Sequence, residues 1–151
     1  MQRINNKNFK FDKTGKSLAI FPKKKNFVVN FKLINELKLL SRKNNNQNVR
    51  ICLHKNKKEK LHNMIIFLSK KNLSPIHKHI FTDEIYQIIY GILKIKIFNK
   101  NKKLLKVIEI SNKKSPIFRM KKNILHQTIP ASDHVIFHEC RLSPYKIVNQ
   151  N

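Results

Sequence analysis

The stretch Ser74–Asn99, SPIHKHIFTDEIYQIIYGILKIKIFN, contains the residues of this chain that are best suited to chemistry. His77 and His79 are separated by one residue, so in an extended strand both imidazoles project to the same side. Glu84 follows after a short turn, and an apolar run that alternates with lysines begins after Gly91. Imidazoles and a carboxylate that converge form a ligand set for zinc, iron, manganese or nickel. The stretch therefore predicts a metal-binding strand followed by half-buried strands.

A second segment, MKKNILHQT, supplies a third imidazole, His126, on what the sequence predicts to be another strand. We expect His77, His79, Glu84 and His126 to hold one divalent metal ion. A lone histidine in a strand is usually an ordinary polar residue. Four ligand-type residues at this spacing, in a chain with 7 histidines and 8 acidic residues, favour a metal site instead.

The spacing H-x-H, four residues, E, six residues, G resembles the first motif of the cupin superfamily and is filled here without an insertion. The second cupin motif reads P-x-G-x-x-H, which His126 completes, with Lys121 at the proline and Asn123 at the glycine. Asparagine tolerates a left-handed backbone better than most residues, so we expect Asn123 to adopt it. The resemblance implies a jelly roll whose opposite strands direct side chains into one cavity.

The chain also resembles the WbuC-type family of cupin-fold metalloproteins over residues 31 to 145. Besides the two histidine segments, the resemblance rests on VRICLH and on the ending FHECRLSPY; the matching residues there are Arg50, His54, Glu139, Pro144 and Tyr145. Such proteins are often associated with bacterial surface-polysaccharide gene clusters. The resemblance implies a metal-binding cupin that acts on or binds a sugar or nucleotide sugar in O-antigen or lipopolysaccharide biosynthesis.

Two residues are candidates for catalysis. Tyr86 shares the face of Glu84 in an extended strand, where its hydroxyl could act as an acid or base, although structural tyrosines are commoner. His54 is either a substrate contact near the metal or a half-exposed turn residue. His62, in contrast, is expected to be an ordinary surface residue. If an isomerase or epimerase reaction occurs, Tyr86 and His54 are the available candidates for its base.

Three charged residues are candidates for binding a substrate or supporting a metal ligand. Arg50 matches a family position, and Arg119 either binds phosphate at the cavity mouth or lies on the surface. Glu139 shares one face of its strand with Val135 and Phe137, and we expect this face to point inward. The alternative for Glu139 is a salt bridge with Arg50 or with Arg141.

The composition is dominated by positive charge, with 33 lysines and arginines against 8 acidic residues and a net charge of +25. Such a charge is typical of proteins that bind nucleic acid or acidic membranes. The excess is nearly all lysine, and asparagine and isoleucine are also abundant. A+T-rich codons encode these three residues, so we favour compositional bias of the gene as the explanation of the positive charge. Nucleic-acid binding is the less favoured alternative, because interleaved aromatic residues are not evident. A non-catalytic, ligand-sensing cupin is a further alternative.

The chain of 151 residues fits one globular domain. We expect residues 1–30 to form a basic extension with a hairpin or edge strands, residues 31–145 a cupin domain, and residues 146–151 a tail. Phe31 to Arg42 is the one convincing helix, with Phe31, Ile34 and Leu37 on its apolar side. The predicted fold class is all-β, a cupin-type double-stranded β-helix or jelly roll barrel with one N-terminal helix packed on it.

Membrane and redox signals are weak in this sequence. No apolar run reaches membrane-spanning length, and the N-terminal MQRINNKNFKF lacks the apolar region of a signal peptide. Cys52 and Cys140 match no C-x-x-C spacing, so we expect buried, reduced thiols. These features predict a soluble, cytoplasmic protein whose partner is a small molecule and which could form a homodimer.

Overall fold

The computed structural model describes residues 3–143 and 147–149. In chain order, the elements are β1 (Phe9–Asp12), β2 (Leu18–Pro22), α1 (Phe31–Lys43), β3 (Val49–Cys52), β4 (Leu61–Ser69), β5 (His77–His79), β6 (Glu84–Tyr90), β7 (Ile92–Phe98), β8 (Leu104–Ser111), β9 (Ile117–Met120), β10 (Leu125–Pro130), β11 (His134–Leu142) and β12 (Ile147–Asn149). Within these ranges the strands form a sheet of seven, ordered β1-β2-β3-β4-β11-β6-β9, and a sheet of five, ordered β12-β5-β10-β7-β8. The predicted all-β, jelly-roll class with one N-terminal helix is confirmed.

The two sheets enclose an apolar core because their strands alternate apolar and polar residues. In β7, Leu93 and Ile95 are fully buried while the intervening Lys94 is only half-buried, as the sequence predicted. Tyr86 and Phe137 of the larger sheet belong to the same core cluster as Leu93 and Ile95. The core therefore lies between the sheets, directly beside the predicted metal ligands.

The helix α1 closes the outer side of the larger sheet. It begins after Asn30, whose side-chain oxygen accepts a hydrogen bond from the Leu33 amide at 2.9 Å. Leu33 and Leu37 are buried in a cluster with residues of β3 and β4, which fixes the helix on the sheet. The predicted contact of Phe31 is wrong: this side chain is 76% exposed, because Leu33 and Leu37 define the buried stripe and Phe31 lies off it.

Both ends of the chain add strands to the sheets. The hairpin β1–β2 pairs with β3 through β2, in parallel, and so extends the larger sheet. Three residues of the predicted tail form β12, which pairs with β5, the strand that contains His77 and His79. The division of the chain at residues 30 and 145 stays a prediction.

Two positions of the predicted motifs have left-handed backbone. Gly91, between β6 and β7, has φ +84, and a Cβ there would lie 2.7 Å from the carbonyl oxygen of His134. Asn123 has φ 63, which confirms the prediction made from the sequence. Its amide donates a 2.7 Å hydrogen bond to the carbonyl of His79. This turn therefore ties the segment before His126 to the strand of the other two histidines.

Two further predictions concern cysteines and membrane spans. In the part of the chain that the structure describes, both thiols are free; Cys52 is buried and Cys140 is partly buried. No helix of residues 3–143 or 147–149 is long and apolar enough to cross a membrane.

Candidate metal centre

Two neighbouring strands of one sheet and one strand of the opposite sheet bring the four predicted ligands close together. His77 and His79 lie on β5, and His126 of β10 is the register partner of His77. The three histidines each offer a ring nitrogen within 4.8 Å of the others. Glu84, from the opposite sheet, places Oε1 2.8 Å from His79 Nε2 and Oε2 3.5 Å from His126 Nε2. The larger sheet thus supplies the carboxylate and the smaller sheet supplies the imidazoles.

Backbone carbonyls set the orientation of two imidazoles. His77 Nδ1 lies 2.9 Å from the Pro75 carbonyl, and His126 Nδ1 lies 2.9 Å from the Ile124 carbonyl. A carbonyl only accepts, so each Nδ1 carries the proton and each Nε2 retains its lone pair. Burial lowers the pKa of His77 to about 4 and also lowers the pKa of His126. Both rings are therefore neutral at neutral pH, as metal ligands must be.

Glu84 supplies a negative charge despite its burial. Burial by itself would raise the pKa of this carboxyl, but the hydrogen bond from His79, together with Tyr86 and Arg141, lowers it to about 2. The Tyr86 hydroxyl donates to Oε2 at 2.5 Å, and Arg141 Nη1 donates to Oε1 at 3.3 Å. An ionised carboxylate beside neutral imidazoles is a donor set that fits a divalent cation.

Arg141 is a member of this cluster that sequence reasoning considered only as a partner of Glu139. Its Nη1 lies 3.4 Å from His79 Nδ1, and its Nε lies 3.4 Å from Glu139 Oε1. A guanidinium only donates, so His79 Nδ1 accepts and the ring proton lies on Nε2, facing Glu84; a metal ion bound at Nε2 would displace this proton. The two-residue spacing from Glu139 was the signal that Arg141 shares the inward face.

Tyr86 lines the cavity beside these ligands. Its hydroxyl oxygen lies 3.4 Å from His126 Nε2 in addition to its bond with Glu84. Burial, followed by the charge of Glu84, raises the pKa of Tyr86 well above its ordinary value. The phenol is therefore neutral, and in this arrangement it is a hydrogen-bond donor rather than a base.

His54 is not among the described residues that line this cavity. It stacks on His62 with ring centroids 4.2 Å apart and planes 2° apart. The prediction that His62 is a surface residue is wrong, since it is only 1% exposed. Its ring is covered by His54, and its Nε2 lies 3.2 Å from the Lys57 carbonyl, contacts that the local sequence did not indicate.

The remaining candidates lie in different places. Arg50 and Glu139 both line the cavity, on its larger-sheet side. Arg119 is exposed, and its Nε and Nη2 each lie 3.0 Å from Asp83 Oδ2, away from the cavity lining. Pro144 and Tyr145, which the family resemblance singled out, lie outside the described residues.

The cavity next to the ligands has a volume of about 630 Å³. Its walls come from both sheets, from the β1–β2 turn and from the segment before β5. Sequence reasoning did not anticipate the contribution of the turn, represented by Lys16 and Ser17, because this turn reaches the cavity only through the pairing of β2 with β3. The site is thus a partly enclosed chamber of mixed polar and apolar lining, with His77 and His79 in its wall, while His126 is not among the described lining residues.

Comparison with known proteins gives a family and a fold. A family model described as a domain of unknown function (DUF6016) matches residues 29–110. No curated protein is significantly similar to the chain in sequence. Among solved structures, protein SO0799 from Shewanella oneidensis has a TM-score of 0.50 at 15% identity, over 62% of this chain and 63% of that chain.

Two other similar structures are larger proteins. Procruciferin, an 11S globulin from Brassica napus, has a TM-score of 0.50 at 9% identity, over 60% of this chain and 23% of that chain. Oxalate decarboxylase from Lactobacillus farciminis, in a formate complex, has a TM-score of 0.48 at 15% identity, over 60% of this chain and 27% of that chain. The chain spans less than two thirds of each of these proteins, and at such identities the likeness concerns the fold alone.

Proposed function

This chain belongs to the family described as a domain of unknown function, DUF6016, and we propose that it is a metal-binding cupin that holds a small molecule beside the metal. The observation that carries the proposal is the convergence of three imidazoles and an ionised, buried Glu84 beside a cavity of about 630 Å³, whose wall includes His77, His79 and Glu84. Such a volume is typical of small-molecule sites.

The proposed ligands of the ion are His77, His79, His126 and Glu84, and the candidate ions are zinc, iron, manganese and nickel. When bound, the ion would polarise an oxygen of the small molecule as a Lewis acid. Tyr86 would donate a hydrogen bond next to it, and Glu139 would hold the guanidinium of Arg141 in place.

For the small molecule we propose a sugar or nucleotide sugar of bacterial surface-polysaccharide biosynthesis, on the resemblance to WbuC-type proteins. Support comes from the polar residues of the cavity wall and from the net charge of +25, which attracts phosphorylated molecules. One observation favours a non-catalytic, ligand-sensing cupin as the second candidate. The high pKa of Tyr86 and its bond to Glu84 leave this phenol unsuited to act as a base.

Replacement of two ligands tests the metal site. We expect the His77→Ala/His79→Ala double variant to lose metal retention while remaining folded, because two of the four donors are removed. Elemental analysis of the purified protein measures the metal content. The matched control is His138→Ala, because His138 lies on the other face of β11 and contacts Asn63 Oδ1 at 3.2 Å. Stoichiometric metal in the double variant would contradict the assignment.

Titration with nucleotide sugars under zinc, iron, manganese and nickel tests the ligand. Calorimetry would detect binding and NMR would detect turnover. Turnover supports an enzyme, and binding without turnover under every metal supports the ligand-sensing alternative. If no nucleotide sugar binds under any metal, the proposed ligand class is wrong, whereas the metal site stands on its own test.

A further inference from the structure

The cavity contains an arginine that the metal centre does not use. Arg50 of β3 is in register with Ile66, which is in turn in register with Phe137 of β11. The partner of Glu84 on β11 is Arg141, four residues further along that strand. At about 3.4 Å per residue, these two rows are roughly 14 Å apart along the strand. Arg50 therefore lines the cavity at a distance from the metal ligands.

The Arg50 guanidinium lacks the acceptors that the other cavity arginine has. The Nε atoms of both arginines are buried and make no hydrogen bond to any described residue, but Arg141 also donates from Nη1 to Glu84 Oε1 at 3.3 Å. None of the ion pairs among the described residues includes Arg50, whereas Arg141 lies against Glu84 and Glu139. Arg50 as a whole is half-buried, and a charge that is partly withdrawn from water without a paired carboxylate would be stabilised by an anionic ligand in the cavity.

The β1–β2 turn adds further donors beside Arg50. Arg50 Nη2 lies 3.7 Å from the point that a Cβ on Gly15 would occupy, so the turn passes close to the guanidinium. The next two residues, Lys16 and Ser17, line the same cavity. Arg50, Lys16 and Ser17 therefore border one part of the chamber. Of the two acidic residues in the described lining, Glu139 lies against Arg141 at 3.4 Å; burial raises its pKa, and the charges of Arg141 and, more weakly, Arg50 oppose that rise.

We propose that this part of the cavity is an anion subsite, and that the ligand carries a carboxylate or a phosphate which accepts hydrogen bonds from the terminal N–H groups of Arg50. The planar fork of arginine matches either group in a bidentate geometry. The subsite deepens the proposed function, since the opposite end of the ligand would reach the metal centre. Because the two backbone rows are about 14 Å apart, the ligand we propose is an extended molecule, such as a sugar bearing the anionic group.

The first test observes the Arg50 Nε–H signal in wild-type protein by two-dimensional 15N NMR. The protein is treated with chelator, and inorganic phosphate and acetate are added separately at constant ionic strength. We expect a saturable shift of this signal with at least one of the two anions. Assignment uses the Arg50→Lys variant, in which the signal disappears. Absence of a saturable shift with both anions would overturn the proposal.

The second test compares affinities for glucose 1-phosphate, glucuronate and neutral glucose by calorimetry. We expect Arg50→Met to weaken binding of the preferred anionic sugar at least tenfold. The control Arg42→Met removes the same charge from the exposed end of α1 and should change affinity less than twofold. If Arg50→Met and Arg42→Met lose the same affinity for the anionic sugar, the attraction is a general effect of charge and the proposal is overturned. It is also overturned if the wild-type protein binds neutral glucose as tightly as the anionic sugars. The phosphate and carboxylate sugars identify which group the subsite takes.

The proposed metal site and the proposed anion subsite can be tested independently of each other. The His77→Ala/His79→Ala variant should still show the phosphate- or acetate-induced shift at Arg50, because the subsite does not require the metal. If wild-type protein binds no metal but shows this shift, the proposed metal site is wrong and the subsite stands. If it binds metal and no shift occurs, the subsite is wrong and the metal site stands.

Discussion

At the scale of single residues, Arg141 occupies a position where it competes with a metal ion for Glu84. Its guanidinium lies 3.3 Å from Glu84 Oε1 and 3.4 Å from His79 Nδ1, and it directs the His79 proton towards Glu84. A divalent cation held by the same carboxylate would be repelled by this charge, and in a partly screened site the repulsion would weaken its binding.

We therefore expect Arg141→Met to raise metal affinity about tenfold or more. Competition with a chromophoric chelator measures the dissociation constant, and Arg42→Met serves as the control for loss of one positive charge far from the site. Thermal melting shows whether the variant remains folded. An affinity that is unchanged or lower in Arg141→Met would mean that the arginine supports the ligands rather than opposing the ion.

His54 makes stability depend on pH. Burial, then the charge of His62, lowers the pKa of His54 to about 4. Between pH 6.5 and about 4 the unfolded chain binds a proton here that the folded chain does not, so the free energy of unfolding falls as the pH falls through this range.

The expected loss from His54 is roughly 2 kcal/mol, discounted for its partial contact with solvent. Urea unfolding at pH 7 and pH 4.5 measures it, and a His54→Leu variant should show a smaller difference between the two pH values. The same pH dependence in both proteins would remove His54 as its cause.

At the scale of elements, one glycine allows the chain to pass from β6 to β7. Gly91 has φ +84, and a Cβ there would lie 2.7 Å from the His134 carbonyl oxygen and 2.8 Å from Ser132 Oγ. Because backbone would have to shift, we expect Gly91→Ala to lower the free energy of unfolding by about 2 kcal/mol or more.

The matched control is Gly15→Ala, since a Cβ at Gly15 would meet no atom closer than 3.7 Å. Denaturant unfolding should show a change within about 0.5 kcal/mol for this variant. Equal destabilisation of the two variants would show that the backbone at Gly91 is not the constraint.

The strands themselves were largely predictable. The alternation of lysine and isoleucine in β7 indicated a half-buried strand, and the position of Gly91 indicated where it begins. The exposure of Phe31 was not predictable, because several registers of the apolar stripe fit the same short helix and only packing against β3 and β4 selects one.

At the scale of the whole molecule, the net charge of +25 opposes folding through repulsion among like charges. Salt screens such repulsion, with a Debye length of about 8 Å at 0.15 M. We expect the melting temperature to rise between about 10 mM and 150 mM sodium chloride and then to level off. Calorimetric or fluorescence melts measure this, and a melting temperature that falls with salt would mean that attractive ion pairs dominate.

What could be derived without coordinates was local. Two-residue periodicity predicted that His77 and His79 share one face of their strand and that Glu139 points inward. The backbone preference of asparagine predicted the left-handed conformation of Asn123. The approach of Glu84 to His126 followed only from matching a spacing to a known fold, since no local rule brings two strands together.

The tertiary structure alone decided which charged groups share the chamber. Arg141 meets His79 across 62 positions of sequence, and the turn at Gly15 meets Arg50 through the pairing of β2 with β3. His62 is buried because His54 stacks on it, although nothing in its own neighbourhood indicates burial. Such contacts depend on sheet order and register, and these are set by the combined packing of the whole core rather than by any one segment.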